Sequence, residues 1–266
     1  VFNEAVAGFA AADVTCGSAS VGTLSSGNSI TWTGTVTPTT NTEDNTNTCD
    51  IAATYTDTAG NTGPTGSSAN YVVETLAPSA SSITMSDTTL IEGETATLTI
   101  VFSQAVSGFS SDADVTCPAG SLATMTSGND ITWTGVFTPT ANTEDDTNTC
   151  DVATSYTDAS GNAGAAASSA NYEVETQAPS VSSITMSDTT LIEGETATLT
   201  IVFSEAVAGF ASNDDVSCAS GSLAVMSISS GSTWTGTFTP TAETSDTSNV
   251  CTVATSYTDT AGNAGG

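Results

Sequence analysis

The strongest constraint in this chain is its internal ruler. Cys16, Cys117 and Cys218 lie 101 residues apart, as do Cys49, Cys150 and Cys251, and Trp32, Trp133 and Trp234 keep the same step. Residues 81–103 recur letter for letter at 182–204. A period of this length is too long for a solenoid element and matches one small domain per repeat, so the chain reads as a tandem array. It opens about 20 residues into a repeat and stops before the closing segment of another, as a section of a longer array would. Thr-x-Ala-Pro stretches ending at Pro78 and Pro179 are the natural joints, because proline fixes the backbone and stops a strand or helix from running through. The expected units are 1–78, lacking the first two strands, the complete 79–178, and 179–266, lacking the last strand.

Within the complete unit the apolar residues alternate with period two. Ala96, Leu98, Ile100 and Phe102 alternate with threonines and Val101, and Ile131, Trp133 and Phe137 do the same further on. Cys150, Val152 and Tyr156 form a third such row. These are half-buried strands. With 83–87, 114–117, 121–126 and 171–176, they predict seven short strands separated by turns such as Glu92-Gly93-Glu94 and Ser160-Gly161-Asn162. The fold class is therefore all-β: tandem seven-stranded immunoglobulin-like sandwiches.

Charge narrows function more than fold. The chain has 29 Asp plus Glu and no Lys, Arg or His, for a formal charge of −29. An ordinary sequence is roughly a quarter charged with both signs present. Without cations it cannot displace counterions from nucleic acid, and anionic membranes repel it. Serine–histidine and cysteine–histidine nucleophile pairs, Schiff-base lysines and imidazole zinc ligands are all excluded by composition. No apolar run is long enough to span a bilayer. No nucleic acid partner and no membrane insertion of this segment are expected.

The motifs at 86–100, 102–109, 131–139, 156–162 and 171–179 resemble the bacterial immunoglobulin-like repeats of very large surface adhesins and biofilm proteins, over nearly the whole repeat. Two departures stand out: the linker acid is Glu74 or Glu175 where the family usually has Asp, and each repeat carries two cysteines that many relatives lack. The resemblance implies a structural, non-enzymatic array. In its strand order the third and sixth strands are neighbours, so pairing within each repeat is the simple reading: Cys16 with Cys49, Cys117 with Cys150, and Cys218 with Cys251. The alternatives are free thiols or a metal site, and two sulfurs per domain without histidine argue against zinc. Such disulfides require an oxidising, extracellular or cell-surface location.

With carboxylates as the only charges, the cation they suit is calcium, which takes oxygen ligands. In the resembling family the linker acid and the Asp of the Thr-Asp-x-x-Gly-Asn turn take part in calcium sites between domains. Here those are Glu74 with Asp158 and Glu175 with Asp259. Strand parity adds Glu43, Asp44 and Asn162 at the first joint, and Glu92, Glu94, Asp145, Asp146 and Asn263 at the second. The plain alternative is a solvated acidic rim that keeps the array soluble.

The leading expectation is a calcium-stiffened extracellular stalk whose partners are the neighbouring repeats of the same chain. The alternative is a filament or surface sheath of identical chains, held by inter-chain, donor-strand contacts. Weaker readings are a lectin-like module, which would break the uniformity of the repeats, and an ice-binding or glycan-bearing threonine row at Thr31, Thr33, Thr35 and Thr37. A glycosidase would need a cleft beside its acid pair, and Asp57-Thr58-Ala59-Gly60 lacks the aspartic-protease pattern.

Overall fold

The computed structural model describes residues 1–266 and is built almost entirely of short strands. The second repeat shows the full plan. Ala80–Met85, Ala96–Phe102, Thr132–Pro139 and Gly120–Leu122 hydrogen-bond in that order into one antiparallel sheet, with Thr126–Ser127 also against Thr132–Pro139. Facing it, Thr89–Leu90, Tyr172–Glu175 and Glu144–Asn148 form a second layer, and Val115–Thr116, Asp151–Val152 and Ala167–Ser168 a third small sheet. The third repeat repeats the large sheet, with Val181–Met186, Ala197–Phe203 and Thr233–Pro240 pairing in the equivalent register.

Period-two alternation does place the core. Leu98, Ile100 and Phe102 are sealed inside, while Thr97 points to solvent. Around them Phe102, Phe109, Tyr156 and Trp133 meet edge-on or tilted at 4.8–6.0 Å, the offset geometry favoured by ring quadrupoles. Gly164 is required by this packing, because a Cβ there would sit 2.1 Å from the Tyr156 ring. Tyr156 then donates its hydroxyl to the Ala165 carbonyl at 2.7 Å.

The sulfurs join Cys16 to Cys49, Cys117 to Cys150 and Cys218 to Cys251, leaving no free cysteine. Each bond links two adjacent strands, with Cys16 opposite Cys49 and Cys218 opposite Cys251 in register.

Three features differ from the sequence expectation. The strand expected from Cys150 onward is only Asp151–Val152, because the chain then leaves the sheet toward the aspartate turn. The strand expected at 114–117 is preceded by a helical turn, Ser111–Asp114. The turn is fixed by polar contacts: buried Asp114 accepts from the Ser110 amide at 2.7 Å and from the Ser155 hydroxyl, and Ser111 Oγ accepts from the Met125 amide at 2.8 Å. Asp145 and Asp146, expected to face the second joint, lie in the strand Glu144–Asn148.

In the first repeat, Trp32–Thr33 and Val36–Pro38 are separate strands where the second repeat has one. Their counterpart pairs along its length with Ala96–Phe102. The threonine row at 31–37 is therefore interrupted.

Candidate functional site at the joints between repeats

Each joint is made by one tight turn of the following repeat. In the first, Gly161 takes φ +90°, the left-handed region open to glycine, and lets the chain fold back on Asp158. Asp158 Oδ1 accepts from the amides of Ser160 and Asn162, both at 2.9 Å, and Oδ2 accepts from Asn162 Nδ2 at 2.8 Å. The same nitrogen reaches across the joint to the Glu74 carbonyl at 3.2 Å. Burial pushes the Asp158 carboxyl up, but these donors outweigh it and hold it below the ordinary aspartate range.

The second joint is tighter. Asp259 and Asn263 are each 2% exposed, and Asn263 works in both directions. Its Nδ2 donates to the Glu175 carbonyl at 2.9 Å and to Asp259 Oδ2 at 2.7 Å, while its Oδ1 accepts from the Glu92 amide at 2.8 Å. Beside it, Ile91 Cδ1 lies 3.6 Å from where a Cβ on Gly262 would be. Asparagine suits this position because its amide is both donor and acceptor, so one side chain satisfies a carbonyl and an N–H of the neighbouring unit.

The joint acids divide by what they face. Glu74 and Glu175 each accept from the amide two residues on, Leu76 at 3.2 Å and Gln177 at 3.1 Å. The Glu92 contribution is its backbone amide. Glu94 is spent on its own turn, accepting from the Ile91 amide at 3.1 Å. Asp44 turns inward to its own repeat, taking the Ser18 hydroxyl at 2.7 Å, which lowers its pKa together with the Thr46 amide. Asp145 accepts from the Thr147 amide at 3.2 Å. Glu43 and Glu144 sit opposite Glu74 and Glu175 in strand register, so like charges face each other.

Two side chains absent from the sequence reading distinguish the joints. Gln104 Nε2 donates to Asp158 Oδ2 at 3.0 Å and to the Leu76 carbonyl at 3.2 Å, a second clasp across the first joint. Its counterpart at the second joint is Glu205, which has no proton to give there. Burial, then Asp259, Glu175 and Glu144, push the Glu205 carboxyl up. Glu175 is raised by burial and by Glu144, Asp259 and Asp146, against a lowering by the Gln177 amide. The available signal was that this position is not uniform: it reads Glu4, Gln104 and Glu205 in otherwise matching Val-Phe-x-x-Ala-Val segments.

Nowhere do three or more His, Cys, Asp or Glu side chains converge closely enough to hold a metal ion. The aspartate oxygens that calcium would use are instead engaged by asparagine and backbone donors, and the Glu74 and Glu175 carbonyls accept from Asn162 and Asn263. As arranged, these residues do not form a calcium cage.

The sequence pattern of a bacterial Ig-like domain matches residues 1–73, 74–174 and 175–266, the whole chain in three tandem units. The chain belongs to the bacterial Ig-like domain family. Among solved structures, this array of Ig-like domains is similar to FdeC, an Escherichia coli adhesin, at 14% identity over 96% of this chain and 86% of that one, with a TM-score of 0.35. It is also similar to invasin, a bacterial integrin-binding protein, at 15% identity over 92% of this chain and 50% of that one, with a TM-score of 0.33. No curated protein matches the chain. No helix of the Ig-like array is long and apolar enough to cross a membrane.

Proposed function

We propose that this Ig-like array is a non-enzymatic spacer: a section of an extended extracellular stalk on a bacterial adhesin or surface fibre. The observation that carries the reading is the clasp at each joint, where a buried or half-buried asparagine of one repeat is hydrogen-bonded to the linker backbone before it. Flexible linkers between domains leave orientation free, whereas a side chain shared by two units fixes it. One disulfide per repeat supports an oxidising, extracellular setting. The absence of Lys and Arg also removes every trypsin site, an advantage for a protein held away from the cell.

Calcium belongs to this reading as a neutralising partner rather than as the occupant of a preformed cage. What supports it is the second joint, where Glu144, Asp146, Glu175, Glu205 and Asp259 act on one another and no cationic side chain exists to offset them. The test combines small-angle scattering with a calcium titration. The expected profile is that of a stiff rod of roughly 100 Å, from about 40 Å per sandwich. Calcium at the millimolar level of extracellular modules is expected to raise the melting temperature beyond a sodium control of equal ionic strength. A flexible-bead profile overturns the stalk; a rod indifferent to calcium removes the ion and leaves the stalk standing.

A further inference from the structure

The two layers of the sandwich divide the charge unequally. In the second repeat no strand of the large sheet carries an Asp or Glu: Ala80–Met85, Ala96–Phe102, Gly120–Leu122, Thr126–Ser127 and Thr132–Pro139 are all uncharged. The facing layer is the reverse, with Glu144, Asp145 and Asp146 on one strand and Glu173 and Glu175 on its neighbour. The large sheet of the third repeat is equally free of carboxylates, from Val181–Met186 through Thr233–Pro240. In a chain of 29 acids without a cation, one face of each sandwich has been kept neutral.

Threonine in register stands where charge is missing. Thr84 lies opposite Thr99, Thr99 opposite Thr134, and Thr134 opposite Thr126, so one hydroxyl per strand crosses the sheet. The third repeat has the same row as Thr185, Thr200, Thr235 and Ser227. These side chains point outward because Leu98 and Ile100, on either side of Thr99, point into the core. Thr84, Thr97, Thr126, Thr134 and Thr138 are exposed, and Val136 among them is 46% exposed. The Thr97 amide donates to Ser86 Oγ at 2.8 Å, but the hydroxyls of the row are spent on nothing within the chain. Exposed Asp87 and Asp130 lie just past the strand ends and form a charged rim around a neutral centre.

We propose that this face is a lateral self-association surface, occupied by the same face of a second copy of the chain. Charge selects the face: contact through the acidic layer would press carboxylates of two like chains together, whereas here two chains of charge −29 meet with none at the centre. Depletion of charge at the core, more than bulk apolarity, is what marks protein–protein interfaces. Hydrogen bonding selects the copy. A hydroxyl both donates and accepts, so a threonine row can satisfy an identical row, which a row of carboxylates cannot do.

Area sets the strength. Four strands at about 4.8 Å spacing, each about seven residues long at roughly 3.3 Å per residue, present about 440 Å² per repeat. A stable interface takes about 800 Å² from each partner, so one face falls short and the faces of two repeats suffice. Association is therefore weak per repeat and additive along the array. Like pairs with like, an isologous contact that lays chains side by side. This goes beyond the spacer reading, which concerns a single chain.

Sedimentation equilibrium of the full chain in EDTA tests the proposal, over a concentration series at about 0.01 M and about 1 M sodium chloride, where the Debye length is about 30 Å and about 3 Å. The expected result is reversible self-association that tightens about tenfold or more at high salt, as the acids outside the contact are screened. The double variant Thr134→Asp, Thr235→Asp should stay monomeric at high salt. Thr147→Asp with Ser248→Asp, which adds the same charge outside the face, should associate like the parent, and so should the neutral pair Thr134→Asn, Thr235→Asn. Circular dichroism melts confirm that each variant is folded. A parent chain that stays monomeric at high salt overturns the proposal, as does equal association by the Thr134→Asp, Thr235→Asp variant. Association that appears only when calcium replaces EDTA assigns the contact to the acidic surfaces and overturns the neutral face. Scattering from dilute single chains reads the stalk separately from all of these.

Discussion

Replacing Asn263 by alanine should unlock the second joint selectively. The substitution removes two hydrogen bonds between repeats, from Nδ2 to the Glu175 carbonyl and from the Glu92 amide to Oδ1, and one within the repeat to Asp259 Oδ2. At about 1 kcal/mol net for each neutral bond, the interdomain pair contributes about 2 kcal/mol, or roughly a 30-fold shift from closed to open joint. The bond to the buried carboxylate is worth about 1.5–3 kcal/mol more, felt within the third repeat itself. At 4–8 °C per kcal/mol for a domain of this size, the third repeat should melt about 6–24 °C lower. Asn162→Ala should loosen the first joint far less, since it removes a single interdomain bond and Gln104 still clasps the Leu76 carbonyl. Small-angle scattering reads the joint and calorimetry reads the repeat. A rod in Asn263→Ala as stiff as the parent, melting at the same temperature, would refute the claim that this side chain holds the joint.

Two further outcomes follow from the same geometry. Reducing the disulfides, each closing a loop with a sequence separation of 33, should cost about 4 kcal/mol per repeat by the chain-entropy model, read as a drop in melting temperature with added dithiol. Acid should act in two stages. Glu175 and Glu205 are raised above 4.5 in the folded chain, so their protonation favours the closed joint: stability rises as pH falls through their raised values and is fully gained below 4.5. Asp44, Asp57, Asp158 and Asp246 are held below 3.8, so their contribution is present above 3.8 and lost as pH falls through the lowered values. Melting temperature against pH should therefore pass through a maximum on the acid side, with a smaller rise in Glu205→Gln; an identical profile in that variant refutes the first stage.

What the sequence reveals here depends on whether a residue's role is local. Leu98, Ile100 and Phe102 announce their strand because alternation with threonine is itself the strand's reason for forming. Glu144–Asn148 has no apolar face to announce it. It is extended because Tyr172–Glu175 lies beside it and because Asn148, buried, donates to the Tyr172 carbonyl at 3.2 Å. The helical turn at Ser111–Asp114 is equally silent, four residues held by one buried carboxylate. At the joints, the turns of Asp158, Asn162, Asp259 and Asn263 are legible because each is a contiguous motif, and from them Asn162 and Asn263 donate to the linker carbonyls of Glu74 and Glu175. Which of their atoms face the neighbour is not legible, and the sequence suggests acids awaiting a cation where the structure has amides already bonded to carbonyls. Gln104 and Glu205 are remote in sequence from those turns, so only three-dimensional proximity gives them a role.

The letter-for-letter identity of residues 81–103 and 182–204 carries a cost during synthesis. Ala96–Phe102 has no means in its own side chains of telling Thr132–Pro139 from Thr233–Pro240, since Trp133 and Trp234, and Phe137 and Phe238, present the same partners. Neighbouring units of such similarity are prone to exchange segments as they fold. The two cysteines of each unit, with a sequence separation of 33, are nearer to each other along the chain than to any cysteine of the next unit, so pairing within the unit closes the shorter loop at the lower entropic cost. Such a bond ties Thr132–Pro139, which lies inside its loop, to its own unit, whereas Ala96–Phe102 lies outside the loop and has only proximity along the chain to favour its own partner.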